Sequence, residues 1–470
     1  MKLKKVLPIT AACAILAGCG MAANVAAADT SGTTMVDYSS LPQGTFAVRL
    51  RNQSTFSDKD VYVNIVNLPF GRVSYLSLGG KRTLVNGPAG LGSVATINTA
   101  TPSASCASNM QLCAPITSIR LSDIAGASST AGHPAYRTLY LPASDGVHAD
   151  GQYYGSRIYI SEGKPLSMVV NSTANGYVQP DVENPSDPNY SIPFDWFEFT
   201  YNPAPQQNNA SLTQVAFGGN VTQVDSFSIP LSFTVTGEDG TTITRGIQLP
   251  VELPSGKIAR TRADLINGYL QATKGTPFDQ LVQKDAHGNL IRLISPYHSS
   301  VFRANGPGAH YFDGYVDQVW NTYKSKDLVA YDQPGEVGNL YKGRVQGNNF
   351  VVTRNGGAPF SIAKPTTYDV LTNNGALQPG GIDANAFGAQ LSAALNRHVA
   401  EYSDTWQVTP GSPSSYYKTG PYNAWSKFWH NVSIDGLAYG FGFDDVSNQS
   451  SVAILPANEK LKELTLVIGG

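Results

Sequence analysis

Through the first half of the chain, apolar and polar residues alternate with a period of two, as in β-strands that bury one face. The pattern is clearest over 45–50, 61–66, 136–141, 156–160 and 231–235, with Gly, Pro and Asn in the turns between. Short strands at that spacing predict a sandwich or barrel. Near Pro254 the period changes. Leu265, Ile266, Tyr269 and Leu270 recur at helical spacing behind Thr261, a candidate N-cap with Asp264 three residues on. Val316, Val319, Trp320 and Tyr323 follow Asp313 in the same way, and Phe387, Leu391, Leu395 and Val399 follow Asp383. A strand-like piece at 349–352 lies among these helices, and from Gly436 the alternation returns through 437–443 to 464–468. This order predicts a mainly β fold with a mixed α/β domain inserted into an all-β one and a groove where they meet. The expected divisions are 1–28 leader and start of linker, 29–40 linker, 41–255 β domain, 256–429 insert and 430–470 returning strands.

One stretch stands out, Phe194-Asp195-Trp196-Phe197-Glu198-Phe199-Thr200-Tyr201-Asn202. Strand periodicity puts Phe197, Phe199 and Tyr201 on a core face and Trp196, Glu198, Thr200 and Asn202 on the other. That second face carries an aromatic, a carboxylate, a hydroxyl and an amide, the equipment of a sugar-binding surface. A Glu among so many aromatics is either partly desolvated or paired with a cation. Both a structural salt bridge and a catalytic carboxylate satisfy that condition. Further on, 212–217 (LTQVAF) is echoed nine residues later by Val221-Thr222-Gln223-Val224-Asp225-Ser226-Phe227, and only the second copy brings a carboxylate. Two adjacent strands of similar composition would give the same echo.

Composition narrows the class. Only 14% of the 470 residues are charged, 10% are aromatic, and there are 46 Gly, 29 Pro and 24 Tyr. This suits an exported β-rich protein and argues against disorder, coiled coil or nucleic-acid binding. The net charge of −2 becomes −5 without Lys2, Lys4 and Lys5. Those lysines and the short apolar run 6–16 form an export leader. Leu16-Ala17-Gly18-Cys19 is similar to a bacterial lipobox, which implies lipidation at Cys19; Ala26-Ala27-Ala28 offers ordinary cleavage instead. An outer-membrane or cell-surface lipoprotein and a secreted protein are the two expected outcomes, and a lipid anchor is the only membrane contact expected. In an oxidising compartment Cys106 and Cys113 read as a local disulfide.

Other chemistries find little support. The histidines, at 133, 148, 287, 298, 310, 398 and 430, lack zinc-ligand spacing and read as surface or satisfied structural groups. No metal site, cofactor or nucleic-acid partner is expected, and a monomer is. Trp425, Phe428 and Trp429 at helical spacing, with Tyr422 nearby, read as core, with a sugar platform as the alternative.

Longer strings carry a resemblance. Arg157-Ile158-Tyr159-Ile160-Ser161, Gln179-Pro180, Asn184-Pro185-Ser186-Asp187-Pro188-Asn189, Phe197-Glu198-Phe199-Thr200-Tyr201-Asn202 and Asp225 with Pro230 are similar to glycoside hydrolase family 64, the inverting β-1,3-glucanases of thaumatin-like fold. The resemblance implies a β-1,3-glucan substrate such as laminarin or fungal cell-wall glucan. It implies Glu198 as general acid and Asp225 as general base, with Thr200, Asn202 and Thr222 lining the groove, and Trp196 belongs to the same expected surface. Arg157 is the cation expected at the cleft, and Asp444 or Asp445 a further acidic member. A non-catalytic glucan-binding protein of thaumatin-like fold is the alternative. Two departures stand out: positions 198 and 225 lie further apart than in bacterial members, and Phe217-Gly218-Gly219 precede Asn220 where the family has a groove tryptophan. Glycosidic hydrolysis needs one protonated carboxyl and one carboxylate. A cation beside Glu198 would oppose the acid role unless it sits nearer Asp225 or burial outweighs it. Strict alternation also puts Thr222 and Asp225 on opposite faces unless a bulge or strand end intervenes.

Overall fold

The computed structural model describes residues 45–67, 73–78, 84–87, 90–100, 116–127, 136–143, 153–170, 177–203, 215–407, 414–457 and 459–469. The leader, Cys19, Cys106 and Cys113 lie outside them. The strands that frame the site are β1 (Thr45–Asn52), β2 (Val61–Asn67), β3 (Tyr136–Pro142), β4 (Tyr153–Glu162), β5 (Phe194–Asn202), β6 (Val215–Val221), β7 (Leu231–Gly237) and β8 (Leu461–Ile468). All belong to one large sheet, mainly antiparallel, that runs through β7, β8, β1 and β3 and on by way of β2 to β4, β5 and β6. β8 is parallel to β1, with Ala47 opposite Glu463, and antiparallel to β7. The returning strand therefore lies inside the sheet.

Among the described residues the α-helices between β7 and β8 are α1 (Arg262–Thr273), α2 (Asp313–Ser325), α3 (Thr367–Thr372), α4 (Ile382–Asn396) and α5 (Ala424–Val432). α1 starts where its residues dictate, because Thr261 accepts from the Asp264 amide and the Asp264 carboxylate accepts from the Thr261 amide. α2 instead takes Asp313 as its first residue behind Phe312, and α4 begins behind Gly381, so Asp313 and Asp383 sit in the first turn without capping. Trp425, Phe428 and Trp429 of α5 are core. A four-stranded antiparallel sheet covers 328–363, including Asn349–Arg354. Among the described residues no helix is long and apolar enough to cross a membrane.

The segment 437–443 is not a strand, although it alternates. The Gly440 amide is drawn onto the Asp444 carboxylate at 3.0 Å, and Phe443 takes φ +67°. Gly440 lies so close to α5 that a Cβ there would stand 2.8 Å from Ser426 Cα. Likewise the described part of the echo does not give two adjacent strands: β6 ends at Val221, and the second copy yields only the two-residue strand Ser226–Phe227, which pairs elsewhere.

Two apolar clusters meet at β5. Phe197, Phe199 and Tyr201 enter one with Phe46, Phe217, Phe233 and Leu466, whereas Phe194 and Trp196 enter the other with Tyr159, Phe227 and Trp429. Gly219 makes room on the first side, where an added Cβ would stand 2.4 Å from Phe197 Cζ. A strand sandwiched in this way is held on both faces, and Glu198 stands where the second face leaves the core.

Candidate active site

Glu198 lies opposite Arg157 of β4 and Asn220 of β6. Directly paired residues share a face, so Arg157 reaches Glu198 without a turn of the chain. Its Nε donates to Glu198 Oε2 at 2.8 Å, and the two side chains keep 19% and 17% of their surface. Arg157 Nη1 also donates to Tyr159 Oη at 3.2 Å and Gln179 Oε1 at 3.1 Å, and the guanidinium stands 4.9 Å above the Trp196 ring. Four groups thus fix one cation. The sequence left open which carboxylate it would face, and it is Glu198 that it binds.

β6 ends at Val221, so the strand end removes the objection from alternation. Thr222 Oγ1 accepts from the Val224 amide at 3.0 Å and turns the chain. Asp225 follows, with 31% of its side chain exposed. Its backbone carbonyl accepts from the Ser295 amide at 3.0 Å, and Ser226–Phe227 pair with Leu290–Ile294. That pairing delivers His298. Its Nε2 is 2.6 Å from Asp225 Oδ1, and its Nδ1 is 2.7 Å from Glu183 Oε1. Arg303 Nη2 donates to Glu183 Oε2 at 2.6 Å.

Burial resists charge on His298, but its hydrogen bonds to the Asp225 and Glu183 carboxylates, and their charges, outweigh it and push the imidazole up to about 9. For Asp225 burial acts upward, and the hydrogen bond and charge of His298, with the field of Arg157, bring it below the ordinary carboxylate value. Arg157 is therefore felt by both carboxylates.

The other expected site residues divide. Thr200 is half-buried on the Glu198 face and accepts from the Gly155 amide at 3.0 Å. Asn202 has no exposed surface; a register break between Thr200 and Asn202 interrupts the alternation, and its Nδ2 donates to Tyr154 Oη. Trp196 is buried beneath Arg157, so it carries the cation instead of offering a face to sugar. Asp444 is also fully enclosed. Its oxygens accept from Arg397 at 2.9 Å, Ser426 at 2.9 Å and the Gly440 amide at 3.0 Å, and one stands 3.0 Å from His430 Nε2. It knits the fold together and has nothing left for a substrate. Asp445 is half-buried, and burial pushes its carboxyl up. Among the described residues no cluster of His, Cys, Asp or Glu could hold a metal ion.

Sequence reasoning missed His298, Glu183 and Arg303. Glu183 precedes the Asn-Pro-Ser-Asp-Pro-Asn run quoted above, but nothing in the spacing ties it to a histidine 115 positions on.

Comparison with known proteins gives a consistent result. The family profile described as Beta-1,3-glucanase (glycoside hydrolase family 64) matches residues 139–465. A glucan endo-1,3-beta-glucosidase from Cellulosimicrobium cellulans is 29% identical over 309 residues, which is 63% of this chain and 49% of that protein. The match thus spans about half the length of the curated relatives. The crystal structure of a beta-1,3-glucanase domain from Clostridium beijerinckii superposes with TM-score 0.66 at 27% identity, over 91% of this chain and 99% of that one. A laminaripentaose-producing beta-1,3-glucanase solved with laminaritetraose has the same TM-score, coverage of 91% and 99%, and 24% identity, a likeness of fold. With the profile covering well over half of its length, the chain belongs to glycoside hydrolase family 64, the β-1,3-glucanase family.

Proposed function

We propose that this protein is an exported endo-β-1,3-glucanase that cuts laminarin-like or fungal cell-wall glucan with inversion, Glu198 acting as general acid and Asp225 as general base. The observation that carries the assignment of roles is the state of Asp225. It is part-exposed and hydrogen-bonded to His298, whose charge holds its carboxyl below the ordinary value, so it stands as a carboxylate facing solvent that can take a proton from water. In the proposed step that water gives a proton to Asp225 while its oxygen bonds to the anomeric carbon. The glycosidic bond breaks, and the leaving oxygen takes the proton carried by Glu198. Arg157 keeps its place through Gln179, Tyr159 and Trp196 while Glu198 changes charge.

Membership of the family and the oligosaccharide-bound structures of the similar glucanases support a β-1,3-glucan as substrate. The finer architecture belongs to the same proposal: a thaumatin-like β domain over 41–255 and 430–470, an inserted α/β domain over 256–429, and a glucan groove between them. Export would leave a lipidated Cys19 or a new end at Asp29, which the mass of the mature N-terminus distinguishes, and would join Cys106 to Cys113. Incubation with linear β-1,3-glucan should release reducing sugar whose first-formed anomer, by NMR, is α. A β-anomer would refute the assigned roles. Binding without release would favour the non-catalytic reading, toward which the commitment of Glu198 to Arg157 and the burial of Phe217 ahead of Asn220 both lean.

A further inference from the structure

His298 has a carboxylate on each ring nitrogen, Asp225 at 2.6 Å and Glu183 at 2.7 Å. A neutral imidazole has one N–H and would turn a lone pair toward one of those carboxylates, so only the imidazolium satisfies both contacts. The surroundings keep that charge balanced. Arg303 closes the far side on Glu183, and on the other side Asp225 feels the charge of Arg157, itself paired with Glu198. Arg157, His298 and Arg303 thus alternate with Glu198, Asp225 and Glu183.

The ring is also held in place. Tyr297 packs against it edge-on at 4.7 Å, and the Tyr297 carbonyl accepts from Tyr368 Oη at 3.1 Å. Arg303 lies 5.9 Å above the Tyr368 ring, so Arg303, Tyr297 and Tyr368 join Asp225 and Glu183 among the ionisable groups around His298. His298 donates its own amide to the Ser295 carbonyl, and Ser295 donates to the Asp225 carbonyl. One short turn therefore fixes the imidazole and the carboxylate against each other.

We propose that His298 is a positioning residue for Asp225: clamped as an imidazolium by Glu183, it occupies Oδ1 and leaves Oδ2 as the oxygen that receives the proton of the attacking water. The clamp stands on geometry alone; its use in hydrolysis rests on the function proposed above. A fixed cation also keeps Asp225 ionised at a pH where a free carboxylate would begin to protonate, which extends the working range toward acid. Glu183 acts at one remove, by orienting the ring and holding its proton.

Two measurements on the full chain test this separately. With ¹⁵N-labelled histidine, the His298 ring should stay doubly protonated beyond pH 8, and Glu183→Gln and Asp225→Asn should each lower its titration by about a unit or more. A ring that titrates near its ordinary value and ignores both substitutions overturns the clamp, whatever the turnover. In kinetics on linear β-1,3-glucan, His298→Gln should move the acid limb of kcat/KM up by about one pH unit and lower kcat on the order of tenfold, with KM little changed. An unmoved acid limb, with or without a general loss of activity, overturns the positioning role. If the wild type releases no sugar, it is the hydrolase reading that fails, and the His298 titration still decides the clamp.

Discussion

Glu198 and Asp225 reach their places by different routes, and substitutions should show it. Glu198 is set by strand register against Arg157, so Glu198→Gln retains shape and much of the hydrogen bonding but cannot deliver a proton. Under the proposed roles, turnover on β-1,3-glucan should fall on the order of 10²–10⁴-fold while glucan binding persists. Asp225→Asn should fall comparably, since an amide cannot take the proton from water. Hydrolysis by Glu198→Gln at the wild-type rate would remove the acid role. The period of two was enough to read Glu198, its neighbour Thr200 and the aromatic backing from the residues themselves. It could not reveal the Glu183–His298–Asp225 row, because that row depends on the pairing of 226–227 with a strand more than sixty residues away. Asn202 and Trp196 share the face of Glu198 in the pattern, but a register break and a second core remove them from the surface.

At the scale of elements, the loop that carries Asp225 is tied to the start of β5. Asp195 Oδ2 accepts from the Ser228 amide at 2.7 Å and the Ile229 amide at 2.6 Å, within reach of the Arg292 and Arg262 charges. Burial dominates even so, and pushes the Asp195 carboxyl up to about 7. A carboxyl raised in the fold binds its proton more tightly there than in the unfolded chain. Wild-type stability from this source is therefore greatest at acid pH and declines between about pH 4 and pH 7. Asp195→Asn removes the titration, so the mutant should gain on the wild type as pH rises through that window. Parallel unfolding midpoints for the two proteins from pH 4 to 8 would contradict it. Asp444 behaves in the opposite sense, since burial raises its carboxyl less than His430 and Arg397 lower it. It holds α5, the Gly440 turn and Arg397, which follows α4. Asp444→Ala strands Arg397 without its partner and should cost about 3–5 kcal/mol in denaturant unfolding, where a substrate-binding role would leave stability alone. The capping box of α1 was legible because a cap is written within four residues. The bend at 437–443 was not, because the alternation there is overruled by one buried carboxylate and by the contact of Gly440 with α5.

At the scale of the whole molecule, the strand nearest the end of the chain sits in the interior of the sheet. The alternation at 464–468 announced a strand, but its parallel place beside β1, with β7 on its other side, depends on contacts more than two hundred residues apart in sequence. β8 contributes Leu461, Leu464, Leu466 and Ile468 to the cluster that also holds Phe197 and Phe199, the underside of Glu198. Burying one such side chain is worth about 1.5–3 kcal/mol, so the four represent about 6–12 kcal/mol, comparable to the whole net stability of an ordinary domain at about 5–15 kcal/mol. Their loss would also leave β1 and β7 each with an unpaired edge in the middle of the sheet. A chain stopped after residue 458 should therefore fail to reach the native fold, appearing as low soluble yield and loss of cooperative unfolding by circular dichroism. Leu466→Ala gives a graded version, expected to lower stability by about 2–5 kcal/mol while a folded protein remains. If the shortened chain unfolded cooperatively with the wild-type midpoint, β8 would be an accessory strand, and the rest of that cluster, from β1, β2, β4, β6 and β7, would suffice beneath Glu198.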